Sequence, residues 1–363
     1  MTWTSSDLRW MQRALELAAR GRLTTWPNPM VGCVVVQDDR ILGEGWHATF
    51  GQAHAEVNAL KQVPEGTDLS SATAYVTLEP CSHTGKTPPC ADLLLTRGLG
   101  RVVIAMEDPN PRVSGRGVAR LKQAGVRVEM GCLEGMARAL NRPFVHAMTS
   151  PRPWVSLKWA QSSDGFLDPE VCAEVGRGGH PLTGASAGRH THSLRASHDA
   201  ILVGMRTWLV DVPALTTRLV PGRSPHRFIL TSGQTPWTVG APHGEPEFAT
   251  LLCPRAEVSS SHMDAWREKG YAVVDLEGVV FSKTWWTQFK AKCGVAACMV
   301  EGGAHVARGV LEGGCWNELH VLHSPMALQT GLQAPEIPSW PSSNTLQLGR
   351  DVLEVWQNPE APC

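Results

Sequence analysis

His54-Ala55-Glu56, followed after one expected strand by Glu79-Pro80-Cys81-Ser82-His83-Thr84-Gly85-Lys86-Thr87-Pro88-Pro89-Cys90, is the stretch that organises the rest of the chain. One imidazole and two thiolates, on His54, Cys81 and Cys90, form a three-ligand set that suits Zn²⁺ and leaves the fourth tetrahedral position to water. An open position is what a catalytic zinc requires. Glu56 falls two residues after the histidine, on the expected first turn of a helix, near enough to handle the protons of a coordinated water without ligating the metal. Other readings of the same residues are core thiols, or a closed structural site in which a residue such as His83 supplies the fourth ligand.

The chemistry follows from charge. Zinc lowers the pKa of its water to about 7, so hydroxide is available at neutral pH. Hydroxide can attack an amidine-like ring carbon while Glu56 carries a proton to the ring nitrogen and the departing amine, which is hydrolytic deamination. His-x-Glu with Pro-Cys-x-x-Cys is the pattern of zinc nucleobase deaminases. Here eight residues separate the two cysteines where that pattern has two.

The segments around this stretch read as a three-layer α/β unit. Ser5 or Ser6 can cap a helix with the apolar stripe Leu8, Met11, Leu15 and Ala18, closed by Gly21. Thr24 to Gly32 holds two prolines, cannot be helical, and leads into a strand from Cys33 to Gln37. Asp38 and Asp39 turn the chain into a second strand, Ile41 to Trp46. Strand 74–78 then delivers Pro80 and Cys81, and Cys90 opens a helix over 91–97. Strand 101–106, helix 116–124 and strand 126–130 complete an alternation that implies a largely parallel sheet.

At 363 residues with 42% apolar content, the chain can bury two ordinary cores. The net charge of −1 and pI near 6.9 offer no global positive field for nucleic acid or an anionic membrane, so a small-molecule substrate is expected. The ten cysteines are scattered without a disulfide-like framework, and no leader or membrane-length apolar run is present. These features point to a reducing cytoplasm. Self-association into a homo-oligomer is compatible with the sequence.

Thr149-Ser150-Pro151-Arg152-Pro153 interrupts helix and strand alike and is read as a linker, giving domains at 1–148 and 154–363. Beyond it, strands at 154–158, 200–204, 227–231, 249–253, 272–275 and 296–300, with a helix over 185–197, imply a second α/β sheet. Its most suggestive local feature is Val300-Glu301-Gly302-Gly303, where a strand ends and glycines lead into a helix whose backbone N–H groups could hold a dinucleotide phosphate. The same turn could serve geometry alone, since the full G-x-G-x-x-G fingerprint is missing.

Several of these stretches together resemble one family. T-T-W-P-N-P-M-V-G-C-V from Thr24, the H-A-E of His54, T-L-E-P-C-S-H-T-G-K-T-P-P-C from Thr77 and E-D-P-N-P from Glu107 are similar to the deaminase half of the bifunctional riboflavin-biosynthesis deaminase/reductases. That resemblance implies a cytidine-deaminase-like fold, zinc on His54, Cys81 and Cys90, and Glu56 as the proton carrier. The implied substrate is 2,5-diamino-6-(ribosylamino)-4(3H)-pyrimidinone 5'-phosphate. Asn28, His47, His83, Lys86 and Asn110 match positions that face substrate in similar enzymes. His83 and Lys86, in the lengthened loop between the cysteines, make sense as partners of a phosphate; the alternative for Lys86 is a solvated loop charge.

L-K-W-A-Q-S-S-D-G, S-L-R-A-S-H-D-A-I-L-V-G, T-W-L-V-D-V-P-A-L-T-T-R and V-E-G-G resemble the reductase half, whose fold is similar to dihydrofolate reductase. The implied reaction is NADPH-dependent reduction of the ribose of 5-amino-6-(5-phosphoribosylamino)uracil to a ribityl chain. By that resemblance Gln161, Thr207, Asp211, Ser232 and Gly303 contact the cofactor, and Arg195, Leu215, Arg218 and Glu301 the substrate. Arg195 and Arg218 suit phosphate, which guanidinium binds in two-pronged fashion; either could instead form a surface ion pair. Phe166, Pro181 and the absence of a lysine after Pro325 depart from the family pattern. A deaminase with a degenerate second half, or a zinc deaminase of nucleic-acid bases, are the competing readings; the latter should present basic and aromatic surface for a strand.

Overall fold

The computed structural model describes residues 2–82, 89–111, 113–169, 181–231, 249–254, 258–268 and 270–360. Contacts divide the chain into two compact units, Met1–Thr149 and Ser150–Cys363.

The first unit opens with α1 (Ser5–Ala19), whose first turn is closed by a capping box. The Asp7 N–H donates to the Thr4 hydroxyl at 3.1 Å, and the Thr4 N–H donates to the Asp7 carboxylate at 3.2 Å. Thr4 is therefore the cap in place of the expected Ser5 or Ser6, because it alone of the three has an acidic residue three positions on. Met11, Leu15 and Ala18 of the expected stripe are buried, whereas Leu8 is exposed. Asp7 takes the inward place in that turn, bonded to Tyr75 and Arg101.

There follow β1 (Gly32–Gln37), β2 (Arg40–Trp46), α2 (Ala55–Leu60), β3 (Thr73–Val76), α3 (Cys90–Thr96), β4 (Arg101–Ile104), α4 (Arg116–Gln123), β5 (Arg127–Met130), α5 (Glu134–Leu140) and α6 (Arg142–Thr149). The sheet order is β2-β1-β3-β4-β5. β1 is antiparallel to both β2 and β3, and only β3, β4 and β5 run parallel. The expected largely parallel sheet is thus mixed, because the Asp38-Asp39 turn, with φ of 49° and 58°, closes a tight hairpin and leaves no room for a crossover.

Alternation along the strands builds the three layers. Cys33, Val35, Val102 and Ile104 face one core with Ala59 of α2, Leu94 of α3 and Leu121 of α4. Val34, Val36 and Val103 face the other with Met11 and Leu17 of α1 and Phe144 of α6. Each such fully buried aliphatic side chain contributes about 1.5–3 kcal/mol. A Cβ on Gly45 of β2 would lie 2.5 Å from the Ala59 nitrogen and 2.7 Å from the Ala55 carbonyl oxygen. Glycine there lets α2, which carries His54 and Glu56 at its start, lie directly on the sheet.

The second unit contains β6 (Trp154–Gln161), β7 (Phe166–Asp168), α7 (Ala185–Ala196), β8 (Ala200–Gly204), α8 (Met205–Asp211), β9 (His226–Leu230), β10 (Ala249–Pro254) and α9 (Ser260–Glu268). It continues with β11 (Ala272–Leu276), α10 (Lys283–Cys293), β12 (Ala297–Val300), α11 (Ala304–Glu312), β13 (Glu318–His323), β14 (Leu332–Gln333), β15 (Asn344–Leu348) and β16 (Asp351–Gln357). Among the described residues the main sheet runs β11-β10-β9-β8-β12-β6-β13-β16-β15. It is parallel from β11 to β13, and β16 and β15 add an antiparallel margin. Ala200 and Leu202 face one core with Trp285, Trp286 and Phe289, while Ile201 and Val203 face the other with Trp208 and Trp266. Much of the chain's tryptophan therefore fills this unit. No helix among the described residues is long and apolar enough to cross a membrane.

Candidate active sites

His54 is the N-cap of α2, Cys90 is the first residue of α3, and Cys81 lies in the segment that leaves β3. His54 Nδ1 stands 3.3 Å from Cys90 Sγ and 3.6 Å from Cys81 Sγ, and the potential ligand atoms of the three residues all lie within 4.8 Å of one another. Zinc with bond lengths of about 2.0–2.3 Å wants tetrahedral ligand atoms roughly 3.3–3.8 Å apart, so the set fits the metal. The Cys90 thiol bonded to Cys81 lowers the Cys81 thiol to about 4, with His54 adding to the effect. That contact and burial push Cys90 up. The Cys90 N–H also donates to Cys81 Sγ at 3.3 Å.

Glu56, on the first turn of α2, is 3% exposed. Burial, with the nearby Cys81 charge, pushes its carboxyl up to about 7. A group of that pKa can take and return a proton near neutrality. His47 packs edge-on against His54, with ring centroids 5.5 Å apart. Its Nε2 accepts from Asn28 Nδ2 at 3.1 Å and its Nδ1 donates to the Ala53 carbonyl at 3.1 Å, while burial lowers its pKa. The structure thus brings Asn28 and His47 to the metal set as a neutral, oriented pair.

Asn110 sits in the loop between β4 and α4. Its N–H donates to Asp108 Oδ1 at 2.8 Å, and its carbonyl accepts from Val113 and Ser114 at 2.8 and 2.9 Å. His83, Lys86 and Ser232 lie outside the described residues.

In the second unit the expected residues gather at the carboxyl ends of adjacent parallel strands, the end at which open α/β sheets bind ligands. Gln161 closes β6, Glu301 follows β12, and Thr207 lies on α8 directly after β8; in the sheet these strands run β8-β12-β6. Gly303, with φ of 67°, is the N-cap of α11, and Thr207 Oγ1 lies 3.0 Å from where a Cβ on it would stand. A side-chain-free turn at a helix start, with a hydroxyl beside it, fits a dinucleotide phosphate. Asp211 ends α8. Gln161 lines a groove of about 420 Å³ with Gly165 and the segment from Ala334 to Ile337. Asp164 ties down the neighbouring chain: its carboxylate accepts from the Ser162 hydroxyl at 2.6 Å and from the Leu328 and Gln329 N–H groups at 3.0 and 2.7 Å, which lowers it to about 2. Phe166 opens β7 and donates its N–H to Ser162 Oγ, and Pro181 is exposed.

Arg195 of α7 grips Glu301 with Nε and Nη2 and donates Nη1 to the Thr216 carbonyl at 2.9 Å. Its guanidinium is thus occupied inside the unit, and Arg218, exposed and bonded to Thr216 Oγ1 at 3.3 Å, has the freer guanidinium. Leu215 is 2% exposed and holds φ of 52°; Val212, at 48°, is a β-branched residue in the same left-handed region. Such strain is concentrated where surrounding structure over-determines the backbone.

Residues 4–106 match the family model for the cytidine and deoxycytidylate deaminase zinc-binding region, and residues 153–336 match that for the RibD C-terminal domain. The riboflavin biosynthesis protein RibD of Bacillus amyloliquefaciens is 38% identical over 331 residues, covering 91% of this chain and 87% of that protein. The chain belongs to the RibD family. RibD of Aquifex aeolicus is 37% identical over 91% of this chain and 90% of its own length. Among solved structures, Acinetobacter baumannii RibD matches with a TM-score of 0.81 at 33% identity, over 98% of this chain and 99% of that one. A diaminohydroxyphosphoribosylaminopyrimidine deaminase/5-amino-6-(5-phosphoribosylamino)uracil reductase from Thermotoga maritima matches with a TM-score of 0.76 at 32% identity, over 99% of each chain.

Against this RibD framework, the half-buried Lys158 and the buried His192 and Glu79 stand beside the candidate sites with roles the sequence did not assign. Lys158 places Nζ 3.5 Å from Glu301 Oε1, and a lone cation in the apolar run Trp154–Trp159 was the available signal. His192 of α7 accepts the Arg218 N–H on Nδ1 at 2.8 Å. Glu79, 3% exposed, accepts four backbone N–H groups. His192 has no local sequence signal, and Glu79, though it heads the Glu-Pro-Cys stretch, gives no local sign of its role, because the partners of both come from distant loops.

Proposed function

We propose that this chain is a bifunctional enzyme of riboflavin biosynthesis, a zinc-dependent deaminase joined to an NADPH-dependent reductase. The observation that carries the first half is the convergence of His54, Cys81 and Cys90 beside a buried Glu56, in a chain that shares 38% identity with a RibD protein. His54, Cys81 and Cys90 would hold zinc, which when bound makes water nucleophilic at neutral pH. Glu56 accepts the proton of the attacking water and passes it to the pyrimidine ring nitrogen, then carries the proton of the newly formed hydroxyl to the amine, which departs as ammonia. Asn28 and His47, fixed to each other, orient the ring, and Asn110 contacts the substrate from its loop. His83 and Lys86 take its phosphate.

In the reductase half, Gln161, Thr207, Asp211, Ser232 and Gly303 would hold NADPH, which supplies the hydride. Glu301, kept ionised by Arg195 and Lys158, and Leu215 position the ribose, while Arg218 meets the phosphate. Burial raises the Glu301 carboxyl, and the charges of Lys158 and Arg195 outweigh it and hold the group below its usual value. The eight cysteines among the described residues are free thiols, in keeping with work in a reducing cytoplasm.

The test supplies the purified chain with the diaminopyrimidinone ribosyl phosphate and NADPH and identifies products by mass. The expected product has exchanged an amine for oxygen and then gained two hydrogens. Ammonia release from the diaminopyrimidinone, with no NADPH oxidation when the deaminated intermediate is supplied separately, would leave a deaminase with a degenerate second half.

A further inference from the structure

The Glu79 carboxylate is buried between the metal-ligand segment and the loop that carries Asn110. One oxygen, Oε2, accepts the Asp108 N–H at 3.3 Å and the Gly115 N–H at 3.0 Å. These two donors bracket Asn110 in the chain. The other oxygen, Oε1, accepts the Gly117 and Val118 N–H groups at 2.9 and 3.2 Å. Those belong to the first turn of α4, whose own N-cap, Gly115, offers no side-chain acceptor. Glu79 therefore does from the segment that follows β3, distant in sequence, what a capping side chain does locally, and adds a negative charge at the helix start.

The coupling to the metal is just as short. Two bonds of chain order separate Glu79 from Cys81, and the Glu79 N–H is itself held by the Met106 carbonyl at 3.0 Å. On the far side, a Cβ on Gly117 would lie 2.0 Å from the Pro80 carbonyl oxygen, so α4 starts in direct contact with the residue that precedes the ligand.

From this geometry we infer that Glu79 is a positioning residue for deamination, clasping the Asn110 loop to the segment that presents Cys81. It is not part of the ligand cluster formed by His54, Cys81 and Cys90 among the described residues. The inference rests on the deaminase reading and on Asn110 as a substrate contact. Its chemistry is that of a buried acceptor: with Glu79→Gln, an amide N–H₂ replaces one oxygen and faces backbone donors, so the clasp opens on one side while volume is kept.

The experiment is a double-mutant cycle on ammonia release. Glu79→Gln, Asn110→Ala and the pair are compared for zinc content, KM and kcat. The expected result is unchanged zinc content in Glu79→Gln with KM raised about tenfold or more, and a double variant no worse than Asn110→Ala alone, since both changes remove one contact. Should Glu79→Gln give no soluble protein, Gly117→Ala, which drives α4 off Pro80, carries the same expectation. Additive losses, loss of zinc, or a lowered thermal midpoint with unchanged KM would each overturn the inference. A wild-type chain that releases no ammonia would instead sink the deaminase reading, which keeps the two failures distinct.

Discussion

Arg195 and Glu301 form a two-pronged ion pair, with Nε 2.7 Å from Oε2 and Nη2 2.9 Å from Oε1, and their side chains are only 9% and 11% exposed. Such a pair adds little relative to apolar residues, yet breaking it strands a buried charge, at about 3–5 kcal/mol. Arg195→Ala leaves Glu301 with Lys158 alone and frees the Thr216 carbonyl. We expect the thermal midpoint of the second unit to fall by several degrees, at about 2–4 °C per kcal/mol for a unit of this size. NADPH oxidation should be lost while ammonia release persists. Arg195→Lys should recover only part, because an ammonium cannot reproduce the fork. Thermal unfolding alongside the two activities checks this, and an unchanged midpoint in Arg195→Ala would refute it.

His192 links that pair to the loop of Arg218. Burial, together with the Arg195 and Arg218 charges, lowers its pKa to about 4, and its Nδ1 must stay unprotonated to accept the Arg218 N–H. The groups that bear on it are Arg195, Arg218, Glu301 and Lys158. With the folded pKa below the unfolded value near 6.5, the unfolded chain binds the extra proton first. This contribution is therefore lost as pH falls from about 6.5 to about 4 and is flat above that window. Comparing thermal midpoints of wild type and His192→Asn, whose amide oxygen can still accept, isolates the effect from other titrating groups. The variant should lose less stability over that window, and parallel curves would remove His192 from the account.

What was legible in the sequence depended on whether the deciding partner was near in the chain. His54, Cys81, Cys90 and Glu56 were readable because metal chemistry dictates residue types at element ends, and the glycine turn at Gly303 because a strand-to-helix change marks itself. The six strands expected in the second unit recur, since each is an apolar run bounded by turn residues. β13, β15 and β16 were not singled out: β13 carries His320 and His323 among its apolar residues, and most of β15 is exposed. The antiparallel pairing of β1 with β3 was missed because element alternation is blind to strand order. The Thr4 cap was within reach, had the acidic residue three positions on been weighed. For Arg195 the sequence offers a substrate contact or an ion pair, and only the fold shows that Glu301, distant in sequence, fills its fork. Such pairings are tertiary, and no local window contains them.

The separation of metal from proton transfer gives the most direct test of the first unit. Glu56 is buried beside the metal set but is absent from the cluster of ligand atoms formed by His54, Cys81 and Cys90. Glutamine has nearly the same shape, so Glu56→Gln removes the ionisable oxygen without opening a cavity. Stoichiometric zinc should remain while deamination falls by at least about 100-fold, the usual weight of a positioned proton carrier. Cys81→Ser removes a thiolate whose charge the site is built to hold, and serine's hydroxyl does not ionise near neutral pH. That variant should lose zinc and, with it, ammonia release. Neither change reaches the residues assigned to the reductase, so both proteins should still oxidise NADPH when given the already deaminated aminouracil phosphate. Metal analysis and the two assays on the same preparations decide the matter. Loss of zinc from Glu56→Gln would make the carboxylate a ligand, and normal turnover by that variant would place the proton carrier elsewhere.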